Sequence, residues 1–326
     1  MSTIDTADKA RGPIRLAVVV PCLNEEEVLE VSVRTLLGVI AEMEKSGDVD
    51  GETTLLIVDD GSTDASWRII EKLAREQRAI RGIKFARNFG HQSAILAGIL
   101  GCDADAVVTI DADLQDPPEV IADMVRAYRG GAEIVLGVRN DRGSDTMFKR
   151  GTAQFYYGLL RVMGVDAVFN HADFRLLGRN AVAAIRSFGE TQLFLRGIVR
   201  LVGFKQEIVH YRRAERQAGQ TKYNLLRMIG LAMDGVTSFT AFPLRLITVM
   251  GFVVSLFAFL AGIWAFVSWW LFANTIPGWT SVVLPMYFLG GIQLLSVGII
   301  GEYLGKSYLE SKNRPRFIIE KSTSTS

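Results

Sequence analysis

The stretch "TIDADLQDPPE", Thr109 to Glu119, sets Asp111 and Asp113 one residue apart and Asp116 three further on, just past an apolar run from Ala106 to Ile110. Like charges this close repel, and only solvent or a cation offsets them. On an extended backbone residues i and i+2 share a face, so Asp111 and Asp113 would present hard oxygen donors together. That donor set suits Mg2+ or Mn2+, which bind carboxylates along with phosphate oxygens. The competing reading is a pair of solvated loop acids, and a lone D-x-D does not decide between them.

Position decides more. Strands are expected at Arg15–Pro21, Thr53–Asp60, Ile80–Ala86, Ala106–Asp111 and Glu133–Val138. Helical spacing fills Glu25–Glu44 and Ser93–Leu100, a helix capped by Ser62 runs to Arg75, and Pro117 and Pro118 open another. Such alternation predicts an α/β fold with a mostly parallel sheet and helices on both faces. Ligands of such sheets bind at the carboxyl ends of the strands. The polar clusters fall there: Asn24 and Glu25, Asp59 and Asp60, Asp111 and Asp113, and Arg139. Further helices are expected over Phe148–Met163, Arg179–Ser187 and Gln192–Leu201, and a strand over Phe204–Tyr211, so that the sheet is complete before the apolar segments begin.

Net charge is +1, so no global field favours nucleic acid. Mean hydropathy is +0.23, and the excess is local: Leu246 to Gly301 holds no Asp, Glu, Lys or Arg. Two segments, 246–272 and 281–301, are about 40 Å and 30 Å long as helices, enough to cross a bilayer. A buried soluble hairpin would keep one polar face, which this run lacks. Arg245 precedes the first segment, and Lys306, Lys312, Arg314 and Arg316 follow the second. The positive-inside rule therefore expects a multi-pass protein of the inner or plasma membrane with both termini cytoplasmic. Met1–Gly12 is polar and shows no signal peptide. Asn224–Phe239 is amphipathic, suited to the membrane interface, and Cys22 and Cys102 are expected to be free thiols. The layout is thus a flexible N-terminus (1–14), a catalytic domain (15–222), an interfacial helix (223–241), two transmembrane helices (246–272, 281–301) and a cytoplasmic tail (302–326) ending in disordered "KSTSTS".

In order and spacing, "VVVPCLNEEEVL", "IVDDGSTDAS", "ARNFGHQSAILAG" and "TIDADLQDPPE" resemble the GT-A, Rossmann-like glycosyltransferases of family 2. "DFRLLGRNAV", "FLRGIVRLVGF", "RQAGQTKY" and "GEYLGKSYLESKNRPRF" are similar to the polyprenyl-phosphate glycosyltransferases, both the bactoprenol glucosyltransferases and the dolichol-phosphate mannose synthases. The resemblance covers roughly residues 15 to 318. It implies a nucleotide pocket of Pro21, Asn24, Glu25, Asp59 and Asp60, and a metal site for Mg2+ or Mn2+ at Asp111, Asp113 and Gln115. It implies Arg139 and Arg150 on the acceptor phosphate, Arg216 and Lys222 over the donor phosphates, and Asp173 near the sugar. Two departures, Ala172 for the usual Gly and Gly219-Gln220-Thr221-Lys222 for G-E-[ST]-K, leave the charged residues in place.

The implied reaction is inverting, metal-dependent transfer from a nucleotide-diphosphate sugar, UDP-glucose first, to a polyprenyl phosphate such as undecaprenyl phosphate at the cytoplasmic face of the lipid bilayer. UDP-galactose, UDP-N-acetylglucosamine, GDP-mannose or a modified pentose remain open. A homo-oligomer, with a tetramer among the options, is implied as well. A processive polysaccharide synthase would carry a Q-x-x-R-W motif, and no tryptophan here lies in one. An inactive membrane-anchored scaffold would not need the intact acidic cluster.

Overall fold

The computed structural model describes residues 12–139, 171–189, 195–212, 242–272 and 279–323. The chain divides into two compact units: Met1–Arg150, Val168–Gln220 and Arg314–Ser326 form one, Gly151–Ala167 and Thr221–Asn313 the other.

The first unit is built on an eight-stranded sheet. Its strands are β1 (Leu16–Cys22), β2 (Thr54–Asp59), β3 (Ile80–Phe85), β4 (Ala106–Thr109), β5 (Ile134–Arg139), β6 (His171–Gly178), β7 (Gln206–Tyr211) and β8 (Ile319–Ser322), in the order β7-β5-β6-β4-β1-β2-β3-β8. Strands β4, β1, β2 and β3 run parallel, as expected for "LAVVVPC" and "TLLIVD", apolar runs buried on both faces. Two strands depart from expectation. Strand β6 runs antiparallel between β4 and β5. Strand β8, contributed by the last residues of the chain, pairs antiparallel with β3. The sheet is therefore not complete before the apolar segments, and the "KSTSTS" terminus begins within a strand.

Helices α1 (Leu29–Ser46), α2 (Ser66–Glu76) and α4 (Val120–Arg129) share one apolar layer with the sheet; α3 (His91–Gly101), α5 (Arg179–Ser187) and α6 (Leu195–Leu201) share the other. Alternate strand residues feed the two layers, Val18 and Val20 one and Ala17 and Val19 the other. On α1 the buried residues Leu29, Val33, Leu36, Ile40 and Met43 recur every three or four positions. Helix α3 is buried nearly all round and lies so close to β1 that a Cβ at Gly98 would stand 2.1 Å from Val19 Cγ1. The expected cap Ser62 is not a cap: α2 begins four residues later, and the Ser62 hydroxyl bonds elsewhere.

The second unit contains α7 (Phe242–Phe272) and α8 (Trp279–Ser311), which expose Phe252, Phe257, Trp264, Met286 and Leu294. Among the described residues one window, Phe288–Ser311, meets the length and hydropathy needed to cross a membrane. Both helices outrun the segments read from sequence, α8 by ten residues at its end. The expected helices at 148–163 and 223–241 lie outside the described residues.

Candidate active site

Strand β1 stops where Asn24 turns left-handed, with φ 54°. Its N–H donates to Ser62 Oγ (2.9 Å), its Oδ1 accepts from Thr63 N (2.9 Å), and Glu25 N donates to Ser66 Oγ (3.0 Å). These bonds lace the loop after β1 to the loop after β2. Asn24 is thus a brace of the pocket, and its side chain is occupied by that role.

At the end of β2, Asp59 is fully buried; its Oδ1 accepts from Ser62 N, and its Oδ2 has no hydrogen-bond partner among the described residues. Asp60 accepts from Phe89 N (2.7 Å) and Gly90 N (2.9 Å), which pins the loop between β3 and α3. Burial still holds the Asp60 carboxyl above its ordinary pKa. Gly61 has φ 75°, and a Cβ there would stand 2.5 Å from the Arg87 carbonyl carbon, so only glycine lets that loop lie against β2.

Strand β4 ends at Thr109, so Asp111 and Asp113 sit in the turn beyond it and not on an extended strand. The turn is held by Leu114 at φ 46° and by Gln115 N donating to Asp113 Oδ1 (3.2 Å). The two aspartates nevertheless line one cleft of about 350 Å³ with Pro21, Glu25, Asp60 and His91. Burial raises the pKa of Asp111, as do Asp173, Asp113 and Asp116, while His91 lowers it. Glu25 is raised by burial and then by Asp113, Asp64 and Asp111. The cleft therefore concentrates negative charge that the protein itself does not fully offset.

The donor set fits a hard divalent cation. Asp111 and Asp113 offer carboxylates, and Gln115 Oε1 is buried without a hydrogen-bond partner among the described residues while its amide nitrogen donates to Asp113. Two carboxylates and one amide oxygen would leave positions for phosphate oxygens and water, the usual pattern for Mg2+.

Because β6 is antiparallel, its first residues lie at the carboxyl end of β4, where Arg175 pairs with Thr109 in register. This brings Asp173 to the site. Its carboxylate accepts from Arg175, which is 1 % exposed, and from Gln92 Nε2 at 3.3 Å. His91 Nε2 stands 3.5 Å from Asp111 Oδ1 and 3.7 Å from Asp173 Oδ2, bridging the two acids. Arg139 sets Nε and Nη2 on buried Asp116, each at 3.0 Å, and Tyr211 Oη donates to the same carboxylate at 2.8 Å. Asp116 and Tyr211 were not among the expected site residues; an aspartate one turn past the D-x-D was the available signal for the first. Arg150, Arg216 and Lys222 lie outside the described residues. Both cysteines are free, and burial pushes each thiol up to about 12, which suits packing and not nucleophilic attack.

The sequence profile described as "Glycosyl transferase family 2" matches residues 17–186. The "Uncharacterized glycosyltransferase YkoT" of Bacillus subtilis (strain 168) is 43 % identical over 307 residues, 94 % of this chain and 91 % of that one. The "Bactoprenol glucosyl transferase" of Shigella phage SfII is 39 % identical over 310 residues, 95 % of this chain and 98 % of that one. Among solved structures, glucosyl-3-phosphoglycerate synthase from Mycobacterium tuberculosis aligns with a TM-score of 0.46 at 20 % identity, over 69 % of this chain and 78 % of that one.

Proposed function

Because the chain belongs to glycosyl transferase family 2, we propose that it transfers a sugar from a nucleotide-diphosphate donor to a polyprenyl phosphate at the cytoplasmic face of a membrane, with inversion and with UDP-glucose as the first candidate donor. The observation that carries this reading is the acidic cleft in which Asp60, Asp111 and Asp113 meet at the ends of parallel strands. The relatives named as bactoprenol glucosyl transferases support the acceptor class. The length and apolar exposure of α7 and α8 support passage through a bilayer, since 31 and 33 helical residues reach about 46 Å and 50 Å.

In this reading Pro21, Asn24, Glu25, Asp59 and Asp60 shape the nucleotide pocket. Asp111, Asp113 and Gln115 would hold Mg2+ or Mn2+, which offsets the charge of the diphosphate leaving group. A phosphate monoester has a second pKa of about 6, so near pH 7 the acceptor is already mostly a dianion and needs no general base. What remains for the protein is to place that dianion in line with the anomeric carbon. Arg139, held by Asp116 and Tyr211, and the sequence-assigned Arg150 are the residues we assign to that task.

The test is to incubate the purified full chain with undecaprenyl phosphate, Mn2+ and a panel of nucleotide sugars, and to weigh the lipid products. A glycosylated undecaprenyl phosphate from one sugar nucleotide is expected. Free sugar with no glycolipid from any donor would overturn the reading.

A further inference from the structure

We propose that Phe317, in the segment that returns from α8 to the sheet, is a positioning residue for the donor site, acting through the loop between β3 and α3. The inference rests on the reading of Asp60 as part of the nucleotide pocket. Strand β8 buries no side chain of its own: all four residues from Ile319 to Ser322 are exposed. Apolar burial within β8 therefore does not hold the segment in place; its apolar anchor is Phe317, which packs against the core. The rest of the segment grips β3 and the loop after it. Thr323 N donates to Gly82 O (2.9 Å), Gly82 N donates to Thr323 Oγ1 (2.8 Å), and Ala86 N donates to Ile318 O (3.0 Å). Just before β8, the Phe317 ring stacks on Phe85 with centroids 5.1 Å apart and planes 10° apart. Phe85 is fully buried and meets Phe89 edge to face at 5.7 Å.

That line of rings ends at the site. The backbone N–H of Phe89 and of its neighbour Gly90 are the donors that hold Asp60. The loop is thus clasped on both sides. Asp60 and Gly61 hold it from within, where no Cβ fits at Gly61. Ile318 and Phe317 hold it from the sheet edge. Removing the outer ring leaves the Asp60 carboxylate with donors whose positions are no longer fixed. Donor binding, and not acceptor binding, should feel the change.

The experiment uses the full chain in detergent and compares Phe317→Ala with Phe317→Tyr, which keeps the ring. Backbone hydrogen exchange of peptides covering 86–90 should speed up by about tenfold in Phe317→Ala, the equilibrium equivalent of one aromatic pair, and return in Phe317→Tyr. Peptides from β1 and α1 should keep their wild-type rates. The dissociation constant of UDP with Mn2+, read by calorimetry, should rise by a similar factor, and the KM for undecaprenyl phosphate should not. Unchanged exchange in 86–90, an equal increase across β1 and α1, or an unchanged UDP dissociation constant beside faster exchange would overturn the inference. Exchange and UDP binding need no turnover, so they decide the matter even if no sugar nucleotide supports transfer. If Phe317→Ala does not fold, Phe317→Leu, which keeps apolar bulk without a ring to stack, carries the same comparison.

Discussion

Replacing Asp173 with Asn separates two roles that a carboxylate at this position can play. Asp173 is the partner of Arg175, and both side chains are buried, at 8 % and 1 % exposure. Breaking such a pair from one side costs about 3–5 kcal/mol, because the remaining charge stays in the core and loses this carboxylate. The same cost bears on catalysis. A general base must take up a proton, and a protonated Asp173 would weaken its pairing with Arg175, a penalty of up to roughly two to nearly four powers of ten in rate. Asp173 is therefore expected to orient its neighbours, Gln92 and His91 included, and not to abstract a proton. The assay is steady-state transfer from pH 6 to 9, paired with denaturant unfolding. Asp173→Asn should lower kcat with no change in the shape of the pH profile, and should lose about 3 kcal/mol of stability, the low end of the range because Asn still accepts one hydrogen bond. The double variant with Arg175→Met should regain most of that stability, since it also removes the buried charge that Asp173→Asn leaves without its carboxylate. A rate that climbs with hydroxide in Asp173→Asn where the wild type is flat would mean that a base had been removed. A double variant no more stable than the single one would mean that the pair is not the buried unit described.

Asp111 and Glu25 have folded pKa values raised by burial and by neighbouring acids. Their ionisation therefore penalises the metal-free fold above those raised values, and the penalty is relieved as pH falls through them toward the unfolded values. Mn2+ should raise the unfolding temperature at about pH 7.5 and lose that effect near pH 4.5, where protons compete for the same oxygens, while Asp111→Asn or Asp113→Asn should abolish both the effect and transfer. Full wild-type activity in EDTA would contradict this. Asp116→Asn and Arg139→Ala should each raise the KM for the lipid phosphate well above any change for the nucleotide sugar, and Tyr211→Phe should cost about 1 kcal/mol of stability through one lost hydrogen bond. A chain cut after Thr240 should self-associate by light scattering, because the outer edge of β3 is left unpaired, and appending residues 314–323 through a Gly/Ser linker should reduce that association.

The parallel heart of the sheet was readable because β1, β2 and β4 are short apolar runs that need cover on both faces. The acids at their ends were readable for the same reason, since polar residues just past such runs must sit at the ligand-binding edge. Strand β6 was not read, because Asp173 and Arg175 interrupt the apolar alternation of "HADFRLLG" and look like surface residues. Their mutual contact, with Gln92 and His91 beside it, is what lets them be buried. Strand β8 was hidden for a different cause: it is four residues long, exposed, and joined to β3 by backbone bonds that leave no trace in side-chain type. Arg139 was legible as an anion binder by its type and place, but its partners Asp116 and Tyr211 were not, since they lie 23 and 72 residues away in sequence.

The placement of β8 also sets an order of events in biosynthesis. Its residues follow α7 and α8 in the chain, so they are translated only after both helices. Until then the catalytic unit carries a bare strand edge, the kind of surface that pairs with other chains. A nascent chain that stalls, or ends early at any point in its apolar helices, cannot close its own sheet. Closure of the sheet is in this way tied to synthesis of both apolar helices, and an interrupted product keeps the edge that favours aggregation.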